Sequence, residues 1–224
     1  MTKERRLGFF GGTFNPIHCG HVIAATAVRR RFSLDRILFV PSFIPPHKTT
    51  RDVASPEDRM RMVEIALRRR PKLVPSAIEI EAGGTSYSIT TLERLRRLYP
   101  GTRILFLLGV DSFLEIETWR EWKRVLETCF FIVVTRPGYR LGDAAGVLGR
   151  EFEDRIAEVR ASDRIEEAWF SRFRIFLLPI RAADISSTEI RSRIRGGQSI
   201  RGLVPPGVEK YIRAKGLYRE DRPL

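Results

Sequence analysis

The chain has 224 residues, 43% of them hydrophobic and 30% charged, the composition of a globular chain with ample length for one large α/β domain. No apolar run nears the roughly 18 residues that a membrane helix requires, and MTKERRLGFFGG lacks a signal-peptide core, so a cytoplasmic protein without a membrane partner is expected. The net charge of +13 comes from 34 Arg and 6 Lys, spread along the chain without an RNP, KH, helix-turn-helix or zinc-finger pattern. It reads as solvated surface that attracts anionic ligands, with no nucleic-acid partner. Self-association is left open.

In chain order, Leu7–Phe10 is strand-like, a glycine-rich turn follows, and a helix covers about 20–32. Arg36–Val40 forms the second strand and ends at the Pro-rich PSFIPPHKTT. Ser55 caps a helix with Pro56 in its first turn, expected to run to about Arg70. Ala77–Glu81 is the next expected strand, and Gly83-Gly84 leads into a helix at 89–98. RILFLL at 103–108 and FFIVVT at 130–135 are apolar throughout, as in strands buried on both faces. A helical stretch at 111–127 separates them. A charged helical region is expected at about 143–168, then a last strand at 173–178. Two short helices close the chain, one after Ser186-Ser187 and one after Pro205-Pro206. Alternation of this kind implies a Rossmann-like, doubly wound, mainly parallel sheet in a single domain spanning 1–224, with a C-terminal helical part at about 184–220.

The chemistry concentrates in GGTFNPIHCGH, residues 11–21. Ligands of such sheets sit beyond the carboxyl ends of the strands. There Gly11 and Gly12 allow a sharp turn with exposed N–H groups, and the following helix start favours anions. His18 and His21, three apart, present both imidazoles on one side of the helix, able to donate to phosphoryl oxygens. The third histidine, His47, falls in the other strand-end loop. Cys19 lies between the first two, but three ligands so close in sequence cannot converge on one ion, and the two cysteines carry no CxxC pattern; no protein-held metal is expected. Walker A, GxGxxG and GxSxG patterns are all missing, so the cradle holds phosphates without an activated nucleophile. One substrate is then expected to attack another. Later, Ser187, Thr188 and Arg191 begin a helix and form a second candidate phosphate clamp. Lys48 has the reach to touch a phosphate, and Asp111, after Gly109, can accept from a ribose hydroxyl or cap its helix.

GGTFNPIHCGH resembles the GGTFDPxHxGH signature of the HxGH nucleotidyltransferase superfamily, with Asn15 where Asp is more usual. PSFIPPHK, TSYSITTL, LLGVDSFLEIETWREW, VVTRPGY, DISSTEIRSRI and the terminal GLYR are similar, in order, to segments of its bacterial nicotinate-nucleotide adenylyltransferase branch. That resemblance implies adenylyl transfer from ATP, carried with Mg²⁺, to nicotinate mononucleotide, giving deamido-NAD and pyrophosphate. It implies that His18, His21, Lys48 and Arg191 are catalytic. It puts ATP on Gly11, Gly12, Thr13, Phe14, His18, His21, Asp111, Ile185, Ser187, Thr188 and Arg191. The mononucleotide falls to Asn15, Lys48, Thr85, Ser86, Tyr87, Trp119 and Arg120, with Trp119 stacked on the pyridine ring and Trp122 left to the core. The alternatives are a related transferase such as the pantetheine-phosphate enzyme, and a basic RNA- or nucleotide-binding protein without catalysis.

Overall fold

A computed structural model describes residues 5–46, 53–181 and 184–219. Lys48 and His47 lie outside the described residues. Seven strands, β1 (Arg6–Gly12), β2 (Arg36–Pro41), β3 (Leu73–Pro75), β4 (Arg103–Gly109), β5 (Phe130–Val134), β6 (Ile156–Glu158) and β7 (Ile175–Leu178), form one sheet in the order β3-β2-β1-β4-β5-β7-β6. Every pairing is parallel. The helices are α1 (Cys19–Arg31), α2 (Pro56–Leu67), α3 (Ser88–Leu98), α4 (Val110–Leu114), α5 (Trp122–Thr128), α6 (Glu167–Arg172), α7 (Ser187–Arg195) and α8 (Pro206–Lys215).

The apolar strands explain the layering. Side chains alternate across a strand, so Phe10, Phe39, Leu105, Leu107, Ile132 and Phe176 join one buried cluster with residues of α1, α2, α7 and α8. Phe9, Leu38, Phe106, Leu108, Phe131 and Val133 join the other, with α3, α4 and α5. Full burial of each such side chain contributes about 1.5–3 kcal/mol before entropy is charged against it. Gly8 allows the sheet to close on β2: a Cβ there would come within 2.6 Å of Ile37 Cγ1.

The chain runs outward from β1 to β3, then returns to β4 beside β1 and builds the other half. That reversal opens a crevice between the carboxyl ends of β1 and β4, where open α/β sheets bind ligands.

Several boundaries differ from the sequence-based expectation. The strand expected at Ala77–Glu81 is a turn, closed by Glu81 N–H donating to the Ala77 carbonyl at 2.8 Å; the strand paired with β2 is the upstream Leu73–Pro75. Helix α2 ends at Leu67, because Pro71 disfavours helical geometry at Arg70, so Arg68–Arg70 follow the helix instead of completing it. The stretch 111–127 breaks into α4, a 3-10 turn and α5, with Glu121 left-handed at φ 53°. Region 143–168 is not a continuous helix: it holds 3-10 turns and the edge strand β6, whose short alternation of residues was hidden among charges. The last strand begins at Ile175. Among the described residues no helix is long and apolar enough to cross a membrane.

Candidate active site

The turn after β1 is built from the inside out. Phe14 is left-handed (φ 48°), a conformation costly for a bulky side chain, and it is held by packing. The residue is 3% exposed, its ring packed against Phe10, Phe39 and His21 with centroids 5.4, 5.6 and 5.1 Å away. His18 then takes an extended conformation (φ −137°) as the residue capping α1. Its N–H donates to His21 Nδ1 at 3.2 Å, so neutral His21 carries its proton on Nε2. The two imidazoles stack with centroids 3.6 Å apart.

His18 is only 1% exposed, and among the described residues neither ring nitrogen has a hydrogen-bond partner. Burial first, and the nearby Arg136 guanidinium second, push its pKa down to about 3. It is therefore a neutral ring whose nitrogens line a cleft without a partner among the described residues. Such an orphan in a buried position points to a ligand that completes it.

That first cleft is lined by every residue expected at ATP: Gly11, Gly12, Thr13, Phe14, His18, His21, Asp111, Ile185, Ser187, Thr188 and Arg191. Arg191 donates one Nη1 hydrogen bond to the Asn15 carbonyl at 2.9 Å, while its Nε is buried and has no partner among the described residues. The Ser187 hydroxyl donates to the Pro16 carbonyl at 2.9 Å, tying α7 to the cradle. Ser186 caps α7 by accepting from Glu189 N–H at 3.1 Å. Asp111 faces Arg136, with Oδ2 3.5 Å from Nε. Gly109 leaves room for this carboxylate, since a Cβ there would displace Asp111 Oδ1. Arg136, in the loop after β5, also lines this cleft. Sequence reasoning missed it, although it directly follows the apolar run FFIVVT.

A second cleft opens on the other side of the β1 end. Ser86, Tyr87, Trp119 and Arg120 line it, with Ser42, Glu79 and Phe106. Trp119 packs on Phe106 at 5.8 Å between centroids, and the Arg120 guanidinium lies 4.8 Å from the Tyr87 ring centre. Trp122 points elsewhere, against Phe152. Two loops are stitched together here. Ser86 N–H donates to the Ile44 carbonyl at 2.9 Å, and Phe43 N–H donates to Ser86 Oγ at 2.8 Å. Beneath them the Glu79 carboxylate accepts from the Thr91 hydroxyl at 2.6 Å, its pKa raised by burial.

Two residues expected at the mononucleotide are found elsewhere. Thr85 is exposed and bridges to Ile44 without lining the cleft. Asn15 lines the first cleft instead, because its Oδ1 accepts from Ala54 N–H at 3.0 Å and from the Tyr218 hydroxyl at 2.8 Å. The two clefts share Gly11, Gly12, Thr13, Leu108 and Ser112. Ligands in both would therefore meet over the ends of β1 and β4.

A family model described as cytidylyltransferase-like matches residues 9–193, a span that carries the glycine turn, both imidazoles and Arg191. The chain belongs to the cytidylyltransferase-like family. Within it, this chain is 41% identical to a probable nicotinate-nucleotide adenylyltransferase of Desulfatibacillum aliphaticivorans, over 95% of this chain and 99% of that one. It is 40% identical to a protein of the same description from Moorella thermoacetica, over 98% and 94%. Among solved structures it resembles Plasmodium falciparum nicotinic acid mononucleotide adenylyltransferase complexed with NaAD, with a TM-score of 0.73 over 96% of this chain and 98% of that chain, at 19% identity. That likeness carries the fold.

Proposed function

We propose that the chain is a nicotinate-nucleotide adenylyltransferase of NAD biosynthesis, working as one nucleotidyltransferase domain in the cytoplasm. The observation that carries the reading is the pair of clefts with a common floor at Gly12, Thr13 and Ser112. One cleft has the donors of a polyphosphate site; the other has an aromatic platform beside a stitched loop.

In this reading an oxygen of the mononucleotide 5′-phosphate attacks the α-phosphorus of ATP. The new P–O bond forms in line with the one that breaks, and the electron pair leaves with pyrophosphate. The protein's part is positioning and charge neutralisation. Neutral His21 donates from Nε2. His18, neutral when the cleft is free, gains its proton or donates as it stands once phosphate oxygens replace the missing partner. The Arg191 Nε–H completes the clamp, and Thr188 with the start of α7 holds the leaving end. Lys48 supplies a point charge from the loop after β2. Asp111 takes a ribose hydroxyl. Gly11, Gly12, Thr13, Phe14 and Ile185 shape the ATP cleft, and Ser187 acts by fixing α7 to Pro16. Magnesium carried with ATP would supply positive charge to offset that of the departing pyrophosphate, and Asp111, the carboxylate lining the first cleft, would be the side chain available to hold it.

For the acceptor, Trp119 stacks on the pyridine ring, and backbone N–H groups near Ser86, Tyr87 and Arg120 address its carboxylate. Asn15 and Thr85 contribute through the loops they brace. The amide of the nicotinamide analogue would turn its own NH₂ toward those donors, a mismatch that such sites reject strongly. Pyrophosphate release from ATP, measured with nicotinate mononucleotide, nicotinamide mononucleotide and phosphopantetheine, tests the reading. Release with the first at far higher kcat/KM supports it; equal rates, or preference for phosphopantetheine, contradict it.

A further inference from the structure

Outside the two clefts, the largest fully buried side chain is charged. Arg59, on the first turns of α2, has no exposed surface, and among the described residues no carboxylate forms an ion pair with it. Its guanidinium is satisfied by three carbonyls from three different segments. Nε donates to Ala54 O at 2.9 Å, Nη1 to Thr13 O at 2.9 Å and Nη2 to Phe43 O at 3.0 Å.

A buried cation is an expensive way to fill a core, and an apolar side chain of similar volume often serves stability as well or better. What the guanidinium offers instead is a rigid, planar fork that fixes several acceptors in one geometry. The acceptors here are informative. Thr13 belongs to the turn that floors both clefts. Phe43 belongs to the loop after β2, whose N–H groups and carbonyls hold Ser86 of the second cleft. Ala54 precedes α2, and its N–H holds Asn15 Oδ1. Arg59 thus joins the ATP turn to the mononucleotide loop from beneath.

The peptide plane adds a direction. In a trans peptide the C=O and the following N–H point to opposite sides. With the Thr13 carbonyl drawn down onto Arg59, the Phe14 N–H is turned away from it; among the described residues that N–H has no hydrogen-bond partner.

We propose that Arg59 is a positioning residue for adenylyl transfer: by holding the Thr13 and Phe43 carbonyls together, it sets the approach of the mononucleotide phosphate to the α-phosphorus of ATP. The proposal rests on the adenylyl-transfer reading. It goes beyond that reading in assigning alignment of the two substrates to a side chain that touches neither.

The test compares Arg59→Met, which keeps the volume and removes the fork, and Arg59→Lys, which keeps the charge and offers a single point, with the wild type. Steady-state kinetics with ATP and nicotinate mononucleotide are run alongside thermal melts and equilibrium binding of each substrate alone. Alignment errors of the order of 1 Å cost about 10²-fold in rate. The expected result is therefore a kcat lower by about 10²-fold in Arg59→Met, with each separate dissociation constant changed less than about 3-fold. Arg59→Lys should not restore kcat, since a point charge cannot span three carbonyls.

A purely structural role predicts a lower melting temperature with wild-type kcat per folded molecule, and that outcome overturns the proposal. So does a loss confined to the KM of one substrate. If Arg59→Met does not fold, Arg59→Lys decides alone: wild-type kcat refutes the proposal, and a depressed kcat with retained binding supports it. Absence of turnover in the wild type itself would reject the adenylyl-transfer reading and is thereby distinguished from failure at Arg59.

Discussion

His18 makes acid stability a readout of the proposed phosphate cradle. Its pKa falls from the ordinary 6.5 to about 3 because the ring is buried and, second, because the Arg136 guanidinium lies near it. Between those values the unfolded chain binds a proton that the folded chain refuses, so stability falls as the pH drops through the unfolded value of 6.5. The slope is about 1.4 kcal/mol per pH unit once below it. Between about pH 7.5 and about pH 5 the loss attributable to this ring is about 2 kcal/mol. The perturbation is His18→Gln, which removes the titration and leaves a polar side chain of comparable length. Urea unfolding followed by circular dichroism at both pH values gives the stability difference for each protein. Carboxylates remote from position 18 are common to both proteins and cancel in the comparison. Wild type should lose about 2 kcal/mol more than the variant on acidification. An ATP-saturated wild type should lose less, because polyphosphate favours the protonated ring. Equal acid losses in wild type and variant would refute the assignment of His18 as a buried, neutral, unpartnered imidazole.

His21→Ala should lower kcat on the order of 10²-fold or more, as for other removed transition-state donors, while nicotinate mononucleotide binding changes little; rapid-quench kinetics check it. Trp119→Ala should raise KM for the mononucleotide roughly 5- to 150-fold, from a stacking contribution of about 1–3 kcal/mol, leaving KM for ATP largely unchanged. Trp122→Ala, which removes the packing on Phe152, should instead lower the melting temperature. The reverse pattern in the two tryptophan variants would exchange their roles.

The sheet was legible because its central strands are apolar throughout, a pattern that only burial on both faces requires. β6 was not, since a three-residue edge strand among charges leaves no periodic trace. Likewise β3 is too short to register, and the more conspicuous AIEIE run turns back on itself because Glu79 is drawn inward to Thr91. In the first cleft, the glycine turn and the two histidines three apart were visible in the sequence, and the residues that the family resemblance assigns to ATP line one cleft. The setting of Asn15 was not legible from the motif, because its side-chain oxygen is engaged by Ala54 and Tyr218, and Tyr218 lies 203 residues away. Arg59 was invisible for a similar reason. In the sequence it is one more arginine in a basic chain; only the convergence of three segments on its guanidinium distinguishes it from the solvated ones.

In the proposed reaction, phosphate and α-phosphorus meet directly over the shared floor of the two clefts, with no adenylylated enzyme between. The stereochemical course at phosphorus tests it most directly. Turnover of ATP made chiral at the α-phosphorus by sulfur substitution, with nicotinate mononucleotide as acceptor, should give a dinucleotide of inverted configuration, the outcome of one in-line displacement. Retention of configuration would require two displacements through a covalent enzyme intermediate and would contradict the account.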